Sequence, residues 1–169
     1  MGCDIHMYVE YKKDDHWSDK KGWLCGDYFH SIDPTDSRYK PEHVGLLEYR
    51  SYSLFAVLAD VRNGRGYPYI SLPKGLPGDV TKYVEEEYDD WGFDAHSCSY
   101  LTMREIVEFH EKEEPKNEFG GYILEPLIER LRQRADELYI LYDFEMKRPF
   151  ADEVLKKMEN IRIVFWFDN

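Results

Sequence analysis

The chain has 169 residues, a formal net charge of −12 and a pI of about 4.9. This length suits one domain with a hydrophobic core and is short for two domains. The excess of acidic residues argues against direct binding to nucleic acids, because phosphate backbones attract clustered Lys and Arg side chains. Small ligands and basic protein surfaces remain as partners.

The cysteine spacing and the hydropathy of the chain predict a cytoplasmic protein. Its cysteines, Cys3, Cys25 and Cys98, are widely spaced and form no C-x-x-C pair, so we expect reduced thiols rather than a zinc ribbon or a redox motif. No apolar run approaches the ~20 residues that span a bilayer. The first residues also lack the apolar region of a signal peptide. We therefore expect no membrane contact.

The first thirteen residues, MGCDIHMYVEYKK, predict a strand with one buried face. Apolar and polar residues alternate there, and the apolar set is Ile5, Met7, Val9 and Tyr11. Asp4 and His6 stand at the start of this strand and are expected to leave it on the same side. A carboxylate beside an imidazole suits a metal, a proton transfer or the polar edge of a ligand. The alternative is that both side chains face water on an edge strand.

The middle of the chain predicts short helices separated by loops. Residues 25 to 48 are irregular and are interpreted as a long surface loop. A short amphipathic helix follows and stops at Asn63-Gly64; its apolar residues are Leu54, Val57, Leu58 and Val61. Residues 64 to 79 are rich in Gly and Pro, which predicts a loop with one short strand. Asp79 is expected to cap a second helix.

The last third of the chain predicts three more helices and a final strand. Residues 89 to 101 lack periodicity, and Thr102 with Glu105 then forms a capping box that opens a helix. A charged linker over 111 to 120 precedes the longest helix, which has Pro126 near its start. Pro149 opens a last helix. Residues 163 to 167 form a continuous apolar run of β-branched and aromatic residues. We expect the C-terminal strand that contains them to be buried on both faces and to pair near the first strand.

These elements predict a single α+β domain over residues 1–169. We expect a mainly antiparallel sheet that includes the N- and C-terminal strands, with four to five helices packed on it.

Three polar clusters lie at the ends of predicted elements, where binding residues are usually placed. They are Cys3, Asp4 and His6; Arg50, Asp60, Arg62 and Asn63; and His96, Ser97 and Ser99. Our hypothesis is that Asp4, His6, Arg62 and His96 line one concave site. The structural alternatives are that Asp60 is a local partner of Arg62, that Ser97 and Ser99 satisfy loop amides, and that His96 is structural or exposed. Metal-ligand candidates are Cys3, Asp4, His6 and His96, although their spacing is not diagnostic.

At these residues the chain resembles a known group of proteins. MGCDIHMYVEYK, RSYSLFAVLADVRNG, LPKGLPGDV, HSCSYLT and RIVFWFDN are similar to a family of small, mostly uncharacterised bacteriophage and prophage proteins that begin Met-Gly-Cys-Asp-Ile-His. The resemblance implies expression in an infected bacterial cytoplasm. It also implies that the polar clusters above, with Pro73, Gly75, Pro77 and Asp79, occupy the motif positions of the family.

Three hypotheses on function follow. The first is a pocket for a small anionic or nucleotide-like ligand, such as a host defence signal, with Arg50 and Arg62 holding charge. The second is a metal-dependent hydrolase of a phosphoester or nucleotide, in which Asp4, His6, Asp60 and His96 hold a divalent ion. The third is an acidic inhibitor of a host protein. Binding ranks above catalysis because no complete set of metal ligands is recognisable.

Overall fold

The computed structural model describes residues 2–12, 22–26, 45–47, 50–146 and 158–168. These residues contain four strands and four α-helices. The strands are β1 (Ile5–Lys12), β2 (Trp23–Cys25), β3 (His96–Thr102) and β4 (Ile161–Phe167). The helices are α1 (Tyr52–Ala59), α2 (Lys82–Trp91), α3 (Met103–Glu113) and α4 (Glu125–Met146). The predicted α+β class is confirmed.

All the strands belong to one antiparallel sheet with the order β2-β1-β4-β3. The first and last strands of the chain are neighbours at its centre, with Ile5 opposite Phe167 and Tyr11 opposite Ile161. Every residue of β4 is buried, so the prediction of a strand covered on both faces is confirmed. The prediction for β1 is wrong on one point, because its second face is covered as well and Tyr8 and Glu10 are buried there.

The sheet separates a large apolar core from a smaller one. The large core joins one face of the sheet to α1, α3 and α4, and its residues include Val9, Leu58, Ile106, Leu127, Ile163 and Phe165. On the other face, Val84 of α2 packs with Tyr8, Val164 and Trp166. Alternation along β4 sends successive side chains to opposite faces, so its apolar run from Ile163 to Phe167 contributes to both cores. Burying each large apolar side chain contributes roughly 1.5–3 kcal/mol.

An ion pair is buried on the α2 face of the sheet. The Arg162 guanidinium lies 2.6 Å from Glu10 Oε2, and their side chains are 4% and 0% exposed. Arg162 also donates to Asp79 Oδ1 at 2.7 Å and lies over the Trp23 ring at 3.9 Å. Burial tends to raise the pKa of Asp79, but hydrogen bonds from Arg162 and Trp23 outweigh it and lower that pKa. Asp79 therefore ties the loop to the sheet and does not cap α2, which follows Thr81.

The predicted helices are found close to their expected positions. Ser51 caps α1, its side chain accepting from the Leu54 amide at 3.3 Å. The capping box of Thr102 and Glu105 is confirmed at the start of α3. The longest helix is α4, as expected. The helix predicted after Pro149 lies outside the described residues, except that Met158 begins a 3₁₀ turn over Met158–Asn160.

Two strands were missed by the sequence patterns. β3 lies within the segment predicted to be a loop, since its polar residues and an irregularity between His96 and Ser99 hide the alternation. β2 is only three residues long, and its last residue, Cys25, belongs to the segment predicted to be a surface loop. Residues 64 to 79 form irregular structure without the expected short strand. Most of the loop predicted over 25 to 48 lies outside the described residues.

Cys3, Cys25 and Cys98 are free and buried. Among the described helices, none has the length and apolar character needed to cross a membrane.

Candidate functional site

Asp168, next to the end of β4, hydrogen-bonds Asp4 and His6 at the start of the chain. We define the N-terminal cluster as residues 2–6, Arg50 and Asp168. Asp168 accepts the Asp4 amide at 2.8 Å through Oδ1, and its Oδ2 lies 3.0 Å from His6 Nε2. The amide of Asp168 in turn donates to the Asp4 carbonyl at 3.1 Å. These bonds continue the pairing of β1 and β4 beyond the last strand residues.

Asp4 forms a two-point pair with Arg50. The Arg50 Nε and one terminal nitrogen donate to the two carboxylate oxygens at 2.6 Å and 2.5 Å. This hydrogen bonding holds the pKa of Asp4 below its usual value. The Arg50 guanidinium also covers Gly2, where a Cβ would lie 2.3 Å from an Arg50 nitrogen. Gly2 therefore leaves the space in which Arg50 reaches Asp4.

The two histidines of the predicted site lie against opposite faces of the sheet. His6 is opposite Trp166 and contacts Trp91, with ring centroids 4.0 Å apart, on the α2 side. His96 is opposite Phe167 and stacks on that ring at 6.0 Å, on the side of the large core. The hypothesis of one concave site lined by Asp4, His6, Arg62 and His96 is therefore wrong. Alternation of side chains across a pleated strand is the physical reason.

The serines next to His96 have local partners. Ser97 has a positive φ of 51° at the strand irregularity, and its hydroxyl lies 3.0 Å from His96 Nδ1. Ser99 is buried and accepts the Lys74 amide at 3.1 Å. The structural alternative, in which such a serine satisfies a loop amide, is confirmed for Ser99.

Asp60 and Asn63 shape the turn after α1. Asp60 ends the helix in the left-handed region with φ 59°, and its carboxylate accepts Asn63 Nδ2 at 2.7 Å. The same amide nitrogen donates to the Tyr67 carbonyl at 2.8 Å, and Asn63 Oδ1 accepts the Tyr67 amide at 2.8 Å. Both residues thus hold the backbone of the turn that carries Arg62. Asp60 and Asn63 therefore stabilise the turn after α1.

The metal-ligand candidates do not come together. Among the described residues, no three His, Cys, Asp or Glu side chains are placed to hold a metal ion. Asp4 and His6 bind Arg50 and Asp168 instead, while His96 lies across the sheet. The set of Cys3, Asp4, His6 and His96 therefore offers no shared coordination site.

A groove of about 490 Å³ lies beside the N-terminus of α1. Three segments form it: residues 51–53, residues 62–67 and residues 117–119. Its lining residues are Ser51, Tyr52, Ser53, Arg62, Gly64, Arg65, Tyr67, Asn117, Glu118 and Phe119. Of the predicted binding residues, Arg62 alone appears in this lining. The groove therefore shares one lining residue with the predicted site.

Two arginines give the groove its basic character. Arg62 hydrogen-bonds the Cys3 thiol, and this contact opposes the burial that raises the pKa of Cys3. Arg65 pairs with Glu118 across the groove, and their side chains are 61% and 48% exposed. A guanidinium has several N–H donors in one plane, so each arginine can keep its protein partner and still donate to an anion.

Sequence reasoning missed most of the groove because its residues carry no recognisable motif. Arg65 lies in the segment rich in Gly and Pro that is predicted to be a loop, and residues 117–119 lie in the predicted charged linker. The Asn and Gly residues of that linker did carry a turn signal. Asn117 Oδ1 accepts the amides of Phe119 and Gly121 at 2.9 Å and 3.0 Å.

Comparison with known proteins gives no further indication of what the groove binds. No protein-family model, curated protein or solved structure matches the chain. The resemblance of the N-terminal motif to bacteriophage proteins therefore stays a prediction from the sequence.

Proposed function

We propose that this protein binds a small anionic ligand in the groove beside α1. The single observation that supports the proposal most is the meeting of Arg62 and Arg65 in one cavity, on a chain whose net charge is −12. Planar guanidinium groups bind carboxylates and phosphates well.

The N-terminus of α1 adds donors of the right kind. Ser51 and Ser53 both line the groove; Ser51 is the N-cap of the helix and Ser53 lies in its first turn. The first amides of a helix lack intrahelical acceptors, and the helix dipole favours negative charge at this end. The first turn of α1 contains no acidic side chain that would oppose an anion. Hydroxyl-bearing and guanidinium side chains thus line the same cavity.

The size of the groove suits a small molecule rather than a polymer. Its volume of about 490 Å³ falls within the range of roughly 300–1,000 Å³ for small-molecule sites. The net charge of −12 would repel a long polyanion more strongly than a ligand that carries few charges.

Capture without chemistry is the activity that we propose for this groove. Hydrolysis by metal-activated water would need a ligand set, and the described residues supply none. The resemblance to bacteriophage proteins gives the proposal a setting, the cytoplasm of an infected bacterium, where removal of an anionic host signal would serve counter-defence. The acidic-inhibitor hypothesis stays a prediction based on net charge.

The test is calorimetric titration of the protein with inorganic pyrophosphate at low salt, for the wild type, Arg62→Met and Arg104→Met. Arg104 is the matched control, since it is a half-exposed arginine paired with Glu159 outside the groove. Loss of charge-assisted hydrogen bonds should weaken binding by about 10- to 100-fold in Arg62→Met. Arg104→Met should bind like the wild type. Equal affinities of Arg62→Met and the wild type would contradict the proposal.

A further inference from the structure

We propose that the ligand of this groove carries a flat heteroaromatic ring as well as its anionic group, as a free nucleotide does. The proposal rests on the anion-binding function inferred above. It assigns the ring to Phe119 and Tyr52, the two aromatic side chains that both line the groove and are exposed.

Phe119 is held out into solvent by a well-formed turn. Its side chain is 88% exposed, although it lines the groove. Asn117 accepts the amides of Phe119 and Gly121, and Gly120 takes a positive φ of 83° that favours glycine. A backbone fixed in this way does not have to be ordered when a ligand binds, which lowers the entropic cost of binding.

Tyr52 is a second exposed aromatic ring in the same groove, at 44% exposure. Its ring packs edge to face on Phe55, with centroids 5.6 Å apart. Phe55 is fully buried in the large core, so the position of Tyr52 is supported from below. Rigid aromatic side chains supply contact area at low entropic cost.

A nucleotide matches this combination of groups in one molecule. Its phosphate fits Arg62, Arg65 and the first turn of α1, while its base can stack on an aromatic ring. Base–aromatic stacking is tolerant of sequence and strengthens binding by about 10-fold or more for each base. A plain anion such as a carboxylate would use the arginines and leave both rings exposed.

The experiment compares adenosine 5′-monophosphate with ribose 5-phosphate by calorimetric titration of the whole chain. The two probes share the phosphate and the sugar and differ in the base. The wild type should bind the nucleotide at least about tenfold more tightly. Phe119→Ala should remove that preference, and Phe119→Trp should restore it. Phe93→Ala is the matched control, because Phe93 is equally an exposed ring but lies outside the groove.

Failure of this inference can be told apart from failure of the proposed function. Equal binding of both probes by the wild type, with loss of both in Arg62→Met, would overturn the ring and leave anion binding in place. No binding of either probe or of pyrophosphate would overturn both. A short oligoadenylate that binds more tightly than the mononucleotide would overturn the assignment to a free nucleotide.

Discussion

The polar side chains of the sheet and those of the groove use similar chemistry in opposite ways. In the sheet, Arg162 is 4% exposed and Glu10 is fully buried, so their charges satisfy each other. In the groove, Arg65 and Glu118 are about half exposed or more, and their pair lies at the protein surface. The difference shows that pairs of charged residues can serve strand pairing as well as binding. Charged side chains that are exposed in a cavity are available to bind a ligand, whereas buried pairs hold the strands together.

Removal of Arg162 should give the largest effect on the sheet side. Arg162→Met leaves Glu10 charged and buried without its partner, which should cost about 3–5 kcal/mol in the free energy of unfolding. Urea denaturation followed by circular dichroism measures this change. Anion binding by the remaining folded protein should be unaltered.

A double variant is the control for that prediction. Replacing both members of the pair, Glu10→Met with Arg162→Met, removes the uncompensated charge and should recover much of the lost stability. A single variant as stable as the wild type would mean that the pair does not hold the sheet, and the contrast with the groove would fail.

His6 tests the boundary between the two regions. His6→Ala removes a partner of Asp168 and the contact with Trp91, and should cost about 1–3 kcal/mol in the free energy of unfolding. Because His6 does not line the groove, pyrophosphate binding should stay unchanged. Thermal denaturation and calorimetric titration of the same sample measure both. Loss of binding with intact stability would return His6 to the functional site.

Glu118 should give the smallest effect, and in the opposite direction. Its carboxylate pairs with Arg65 inside the groove and so competes with an incoming anion. Glu118→Gln keeps the size of the side chain and removes its charge, and should tighten pyrophosphate binding by up to about fivefold. Glu108→Gln is a control, since Glu108 is an exposed helical carboxylate elsewhere. Weaker binding in Glu118→Gln would show that the carboxylate takes part in recognition.

The fold was predictable wherever local pattern and tertiary environment agree. The helical spacing from Leu54 gave α1, and the capping box of Thr102 and Glu105 gave the start of α3. The apolar run over 163–167 predicted a strand covered on both faces. β3 escaped prediction because an irregularity at Ser97 and a buried Ser99 replace the expected alternation.

The candidate site was much less predictable than the fold. The patterns selected polar residues at element ends, and of these only Arg62 lines the groove. Asp4, His6, Asp60 and Asn63 proved to hold backbone and strands together. Residue type alone cannot distinguish a structural side chain from a ligand-binding one, because a side chain that caps a turn and one that binds a ligand have the same chemistry.

The sequence by itself determined the α+β class, the pairing of the two ends of the chain and the acidic character of the protein. These properties follow from periodicity, burial and charge, which are local or additive along the chain. The tertiary structure alone decided that His6 and His96 lie on opposite faces and that residues 51–53, 62–67 and 117–119 meet in a groove. Which segments come together depends on how helices and turns pack on the sheet. No local sequence pattern encodes the distance between residues that are far apart in the chain.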